Sequence, residues 1–373
     1  MEENLSLPLG VKPFRVRTQE AWAAFLAGEG ELRALLDEKD RAAVSEQLVK
    51  RCAGLLAPAF ANPAFELGRR EGKYELILSP EGNRARLFQL AYFQKRAPRE
   101  LLEKWNIIVG RTRAKNFRLQ MEGQDVALED VRVWAEKTGN SGVALKLYCE
   151  KLVPLMKEDE DTVYDIIYIL LDQALGELAA MRYVDALDVL PAPEPGESIA
   201  LDALADFIAA EVDPEGWAQA DDPELACRRY TAYRGQPAQA EDRPLRADVF
   251  AGATCCLPIL NAWFRGDDYC MDRLHPDGAV PGFFYYPLDG VDRQDVLGLR
   301  DRLEAAIGEK AGADAVTFTG GATGTDLGYL DFIAWDLKAV LDAAVEVFAA
   351  ETVERAGFHT FRFSAGGVGL KGS

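Results

Sequence analysis

The apolar rhythm between Val280 and Phe363 constrains this chain more than any other feature, because its period switches repeatedly between two residues and three to four. Val280–Leu288 reads as an aromatic strand. Asp292 is placed to cap a helix with Val296, Leu299, Leu303, Ala306 and Ile307 on one face. Ala315–Thr319 reads as a strand, Gly320-Gly321-Ala322-Thr323-Gly324 as a hairpin turn, and Tyr329–Trp335 as the returning strand. Asp336 is the cap of a second helix bearing Leu337, Val340, Leu341, Ala344, Val345 and Phe348, and Phe358–Phe363 is the last strand. The order β-α-β-β-α-β predicts the split βαβ of a ferredoxin-like fold. The Gly-rich stretch Ala365–Ser373 reads as a loose tail.

The same order lies over the first half. It runs through a strand at Tyr74–Leu78, a turn at Ser79-Pro80-Glu81-Gly82, a helix capped by Asn83, and a strand at Ile107–Val109. An extended or hairpin stretch from Phe117 to Trp134 follows, then a strand at Val143–Cys149, a helix capped by Asp161 and a strand at Tyr183–Leu190. Before it, Thr18 with Trp22, Phe25 and Leu26, and then Val44, Leu48, Cys52 and Leu55, predict a helical layer. The expected fold class is therefore α+β: two ferredoxin-like units, antiparallel sheets with helices on one face, plus N-terminal helices. Element order suggests an internal duplication. The run Pro191-Ala-Pro-Glu-Pro-Gly reads as a linker, so the expected domains are 1–190, an acidic linker and helix over 191–230, and a second unit over 231–373.

Charge is divided unevenly. Of 373 residues with net charge −19, residues 1–190 hold 27 Lys+Arg against 30 Asp+Glu, whereas the remainder holds 15 against 31. The excess of −16 in the second half repels nucleic acid and anionic lipid and favours a basic partner. From Tyr183 through Cys227 there is no Lys or Arg, which predicts a solvated acidic helix with Leu201, Leu204, Phe207 and Ile208 inward. Against this, residues 84–118 carry ten Lys+Arg, from Arg84 to Arg118, with only Glu100 and Glu103 as acids. That stretch lacks an aromatic recognition motif, so RNA binding is disfavoured and pairing with acids of the chain or of a second copy is the simpler reading.

Six cysteines without a CxxC pair read as free thiols of a reducing compartment. The acidic start MEENLSLPLG lacks a basic, apolar signal region, and no apolar stretch is long enough to span a membrane. A bacterial cytoplasm is the expected location. Catalytic machinery is not legible. Only His275, in a Leu-His-Pro-Asp-Gly turn, and His359, in a predicted strand, are available as bases, and both read as structural. The acids Asp267, Asp268, Asp272 and Asp277 fail the spacing of a calcium loop. Gly320–Gly324 lacks the lysine and following helix of a phosphate loop. The vicinal Cys255 and Cys256 read as small buried hydrophobes. No cofactor and no metal are expected.

The run Tyr74-Glu-Leu-Ile-Leu-Ser-Pro-Glu-Gly, with Leu87-Phe88, Ala97-Pro98, Trp105-Asn106-Ile107 and later Leu175-Gly176-Glu177, resembles a bacterial domain family numbered 695 among the domains of unknown function. The resemblance covers residues 65–190 and implies no catalytic residue. The strand Gly282-Phe-Phe-Tyr-Tyr and its following helix are similar in layout to the protein regulator of ribonuclease E, a small acidic ferredoxin-like inhibitor.

One surface stands out as a candidate ligand platform. Alternation along Tyr329–Trp335 turns Leu330, Phe332 and Ala334 towards the helices, leaving Tyr329, Asp331, Ile333 and Trp335 on the other face with Thr317, Thr319 and Arg362. Cover from the rest of the chain or a second copy is the competing reading. The chain is thus expected to be a non-enzymatic protein-interaction or regulatory module for a basic protein partner. The alternative is an enzyme or small-ligand binder using Tyr329, Asp331, Trp335, Thr317 and Thr319; a homodimer is left open, and nucleic acid and membrane are not expected partners.

Overall fold

A computed structural model describes residues 11–114, 116–139, 141–238 and 244–372. The chain begins with α1 (Phe14–Leu36) and α2 (Arg41–Leu56). Phe14, Thr18, Trp22, Phe25, Leu32 and Leu36 recur at helical spacing and are buried along α1. Next come β1 (Phe65–Arg70), β2 (Lys73–Leu78), α3 (Arg84–Lys95), α4 (Arg99–Leu102) and β3 (Trp105–Val109). Asn83 starts α3 by accepting hydrogen bonds from the Ala85 and Arg86 amides. The hairpin β4 (Arg118–Met121) and β5 (Gln124–Ala127) precedes β6 (Arg132–Thr138) and β7 (Gly142–Tyr148). Then follow α5 (Val153–Met156), α6 (Glu160–Leu175), α7 (Glu177–Tyr183), β8 (Val184–Val189), β9 (Ile199–Ala200), α8 (Leu204–Phe207) and α9 (Pro223–Cys227). The last third contains β10 (Thr231–Arg234), β11 (Val249–Thr254), α10 (Leu257–Arg265), α11 (Tyr269–Leu274), β12 (Val280–Pro287) and α12 (Val296–Ala311). It ends with β13 (Val316–Gly324), β14 (Leu327–Ala334), α13 (Leu337–Ala350), β15 (Ala356–Thr360) and β16 (Val368–Lys371).

The fold is α+β and divides into two compact units, but not where composition placed the boundary. One unit takes the described parts of Met1–Pro63, Lys95–Leu101 and Tyr230–Ser373; the other takes Ala64–Gln94 and Leu102–Arg229. The N-terminal helices therefore belong with the C-terminal strands. The Pro-rich stretch after residue 190 stays inside a unit, because β9 beyond it pairs with β6 through Val133 and Ile199.

The sheet of the first unit has seven strands in the order β10-β11-β13-β14-β12-β15-β16, every pair antiparallel. One face is covered by α12 and α13, whose Leu303, Ile307, Val340, Ala344 and Phe348 form one apolar cluster with Phe284, Leu330 and Phe332. Phe284 and Phe332 pack with ring centroids 4.6 Å apart. Each such fully buried side chain is worth about 1.5–3 kcal/mol. Two expectations fail here for one reason, the close approach of backbones. Gly320–Gly324 is not a turn but the end of β13, where a Cβ on Gly320 would collide with the Ala253 carbonyl of the neighbouring β11. Gly320 has φ +141° and follows a register shift between Phe318 and Gly320, so glycine here serves a bulge and a tight strand contact. The Gly-rich tail is likewise not loose: Val368–Lys371 forms the edge strand paired with β15, while Ser373 lies outside the described residues.

The other unit does not form a single antiparallel sheet. Its strands are shared among a three-stranded sheet β1-β2-β3, the hairpin β4-β5 and a four-stranded sheet β8-β7-β6-β9. The pairs β2–β3 and β7–β8 are parallel. Helical crossovers, α3 and α4 in one case and α6 and α7 in the other, return the chain in its original direction. The strands at Tyr74 and Val143 therefore never become neighbours, and the two halves do not share one topology. The main core packs Val163, Ile166, Ile167 and Leu170 of α6 against Val133, Val143, Leu145 and Leu147. The α6 cap is Asp159, which accepts from the Thr162 amide, and not Asp161.

This unit is pinned by a buried carboxylate. Glu177 is fully buried and accepts hydrogen bonds from Ser79 Oγ (2.9 Å and 3.0 Å), the Gly82 amide (3.3 Å) and the Arg111 amide (3.0 Å). It thereby fixes both the turn after β2 and the loop after β3. Burial and the neighbouring Glu177 charge push Asp172 up to about 7, although Arg111 opposes them. Because the folded state keeps a proton there that the unfolded chain has lost, this group lowers stability as pH rises from about 4 through 7. Asp172→Asn is expected to flatten that dependence and stabilise the unit by about 1–2 kcal/mol at pH 8, read by urea unfolding across pH. Equal pH slopes for variant and parent would contradict it.

Candidate functional site

The face of the seven-stranded sheet opposite α12 and α13 carries the residues singled out as a platform, and the expected alternation is present, with Leu330, Phe332 and Ala334 in the cluster under α12 and α13. Helices are not confined to one face as expected, since Trp263 of α10 packs on Phe283 with ring centroids 5.1 Å apart. The face is filled. Tyr329 is 0% exposed, Asp331 and Trp335 1% and Thr319 4%, while Thr317 is half-buried. Trp335 Nε1 donates to Thr317 Oγ1 at 2.9 Å, and the Phe14 ring of α1 packs against Trp335 at 5.6 Å. The Thr319 carbonyl accepts from the Cys255 amide at 2.9 Å and its thiol at 3.3 Å.

Asp331 is held by Arg246, which sits in the segment entering β11. The Arg246 side chain is fully buried and grips Asp331 with two nitrogens, at 2.6 Å and 3.2 Å, while donating to the Tyr233 hydroxyl at 3.0 Å. Its guanidinium carbon lies 5.0 Å from the Phe283 and Tyr329 ring centroids and 5.4 Å from that of Phe361. Aromatic faces and a bidentate carboxylate are what a buried guanidinium needs. The Arg246 backbone, at φ +69°, turns its amide onto the Tyr329 hydroxyl (2.9 Å), which itself donates to Asp248 at 2.5 Å. Asp248 also accepts from the Leu327 and Asp326 amides, closing the β13–β14 turn. Burial works against the Arg246 charge, yet Asp331 and Tyr233 hold its pKa above the ordinary value; burial and Asp248 raise that of Tyr329.

Chemically this cluster is closed to solvent, with Arg246 Nε buried and without a hydrogen-bond partner among the described residues. A ligand reaching Asp331 has to displace Arg246 and leave a cation in an aromatic interior. Sequence reading named the acceptors and missed Arg246, Asp248 and Tyr233. The left-handed turn that brings Arg246 inward is at a non-glycine residue and has no mark in the sequence.

The remaining candidates are engaged in packing. His359 is buried and stacks on Phe283 with centroids 5.6 Å apart. Burial and Arg362 push His275 down to about 4. Asp268 accepts from the Phe363 amide, Ser364 Oγ and Arg362, Asp272 pairs with Arg362, Asp277 accepts from the Ala61 amide and Asp267 from the Tyr269 amide. Among the described residues no group of three or more His, Cys, Asp or Glu is arranged to hold a metal ion. All six cysteines are buried and free. In the basic segment, Arg84 donates to the Ala226 carbonyl, Arg96 pairs with Asp314, Arg111 with Glu66 and Arg118 with Asp125; Lys115 lies outside the described residues.

The acidic stretch differs. Leu201, Leu204, Ala205 and Ile208 enter the core of their unit, and this register turns Asp202, Asp206 and Glu211 outward; Glu215, in a turn, and Asp222 are exposed as well. Glu211 meets the exposed Lys137, and Asp222 caps α9. Asp202, Asp206 and Glu215 have no ion-pair or hydrogen-bond partner among the described residues.

Asp331→Asn is expected to destabilise its unit by about 3–5 kcal/mol in denaturant unfolding, because Arg246 is left buried and uncompensated. The double variant Arg246→Met/Asp331→Leu is expected to recover to within about 1–2 kcal/mol of the parent; a single variant as stable as the parent would show an open, hydrated face. Comparison of the chain with protein-family models, with curated proteins and with solved structures returned no match.

Proposed function

We propose that the protein is a non-enzymatic interaction or regulatory module that engages a basic protein partner through the acidic strip over 202–222. One observation carries this reading: Asp202 and Asp206 in short helical turns, and Glu215 in the turn that follows, are exposed without an ion-pair or hydrogen-bond partner among the described residues, in a stretch devoid of Lys and Arg from Tyr183 through Cys227. Unpaired surface carboxylates at fixed spacing steer and orient a cationic surface, with an affinity that falls as salt rises.

The order β15-β12-β14-β13, all antiparallel with α12 and α13 on one face, favours a ferredoxin-like core extended at both edges. We propose that residues 65–190 are related to family 695 of the domains of unknown function, on the run Tyr74–Gly82 and the motifs that follow it. Six buried free thiols suit a reducing compartment, in line with a cytoplasmic site of action. No helix among the described residues is long and apolar enough to cross a membrane.

Fluorescence anisotropy with a labelled decalysine peptide tests the reading. The variant Asp202→Asn/Asp206→Asn/Glu215→Gln is expected to bind about tenfold more weakly at low salt. A control of equal charge, Glu46→Gln/Asp301→Asn/Glu309→Gln, is expected to change affinity less than about twofold, since exposed acids elsewhere contribute only to net charge. Equal losses in the two variants would refute a localised site.

A further inference from the structure

In a C-terminal half of net charge −16, one pocket of about 440 Å³ is lined by cations and tyrosines and, among the described residues, by no carboxylate. We infer that this pocket binds a small organic anion, a carboxylate or phosphate monoester with a flat apolar body. It lies beside β12, β15 and the edge strand β16, with Tyr285, Arg355 and Lys371 as polar groups and Leu245, Pro287 and Leu327 as apolar ones.

The polar groups are prepared for an anion in different ways. Lys371 Nζ donates to the Phe348 and Glu351 carbonyls at 2.9 Å and 2.6 Å, closing the C-terminus of α13 and fixing a positive charge in the wall. Arg355 is exposed and has no ion-pair or hydrogen-bond partner among the described residues, so its guanidinium fork is open to an oxyanion. Tyr285 stands opposite Gly357 in the β12–β15 register, where a Cβ would collide with the phenol ring; glycine lets the ring lie across β15, and Tyr285 lines the pocket. Burial raises the Tyr285 pKa, against the Arg355 charge, which keeps the hydroxyl a donor at neutral pH. An oxyanion therefore finds a guanidinium and a phenol, and an apolar body finds Leu245, Pro287 and Leu327, in the lining of one pocket.

The site is built from other residues than the acidic strip, takes the opposite charge, and stands whether or not a basic partner binds. Ligand-detected NMR titration of the full chain uses benzoate and phenyl phosphate as probes, with benzamide as the uncharged match and inorganic phosphate as the anion without a body. Both organic anions are expected to saturate below about 20 mM, with benzamide and inorganic phosphate each at least about tenfold weaker. Arg355→Gln, at an exposed position, is expected to weaken both anions at least about fivefold without moving the thermal unfolding midpoint, and Tyr285→Phe about threefold. Binding of benzamide as tight as benzoate, of inorganic phosphate as tight as phenyl phosphate, unchanged affinity in Arg355→Gln, or no saturation would each overturn the inference.

Discussion

The pairing of Arg246 with Asp331 decides what one face of the large sheet is. Asp331 lies in the central strand β14, and strict alternation sends its carboxylate away from α12 and α13, into a place lined by the Phe283, Tyr329 and Phe361 rings. A lone carboxylate there is strongly disfavoured. The segment entering β11 answers it with a fully buried guanidinium, and the left-handed turn that delivers the arginine also supplies the amide for Tyr329, and through it the tie to Asp248 and the β13–β14 turn. One ion pair thus sets the position of the loop before β11, the hairpin tip and the aromatic packing between them. Such a pair adds little net stability over apolar replacements, but it penalises every arrangement in which either charge lacks the other.

The sequence made the helix-side core legible because its signals are periodic. Leu330, Phe332 and Ala334 against Tyr329, Asp331, Ile333 and Trp335 is a period-two pattern, and Val340, Ala344 and Phe348 is a helical one; each needs only local spacing. What stayed hidden was long-range. Gly320–Gly324 resembles a turn in isolation and is a strand end because β11 approaches it, a partner far away in the chain. Val368–Lys371 has no strand signature and becomes one because β15 presents a free edge. The first half followed the expected element order but not the expected pairing, since Tyr74–Leu78 meets Trp105–Val109 in parallel and Val143–Leu147 meets Val184–Val189 in parallel. Element order constrains connections; it does not say which edge each strand chooses. The same blindness applied to the site, where Asp331 was visible and Arg246 was not.

Function accordingly moves from the sheet face to the surface. Once Tyr329, Asp331 and Trp335 are interior, the groups still able to recognise something are those the fold leaves unpaired. Among the described residues two such sets carry the proposals, and their charges are opposite. Asp202 and Asp206 stand outward because Leu201, Leu204 and Ile208 stand inward, and Glu215 is exposed in the turn that follows. Arg355 stands open beside a tyrosine because the neighbouring strand supplies glycine where a side chain would block the ring. In both cases local register, read with its packing partners, specifies the exposed chemistry.

Hydrogen exchange at the Arg246 amide tests the closed face most directly, since that N–H donates to the buried Tyr329 hydroxyl and to no regular ladder. If the ion pair seals the sheet, this amide exchanges only with unfolding of its whole unit, at the free energy and denaturant dependence of the β12 and β14 amides. Exchange through a low-energy, denaturant-independent opening, faster than that of β12 and β14, would contradict the account and restore an accessible face.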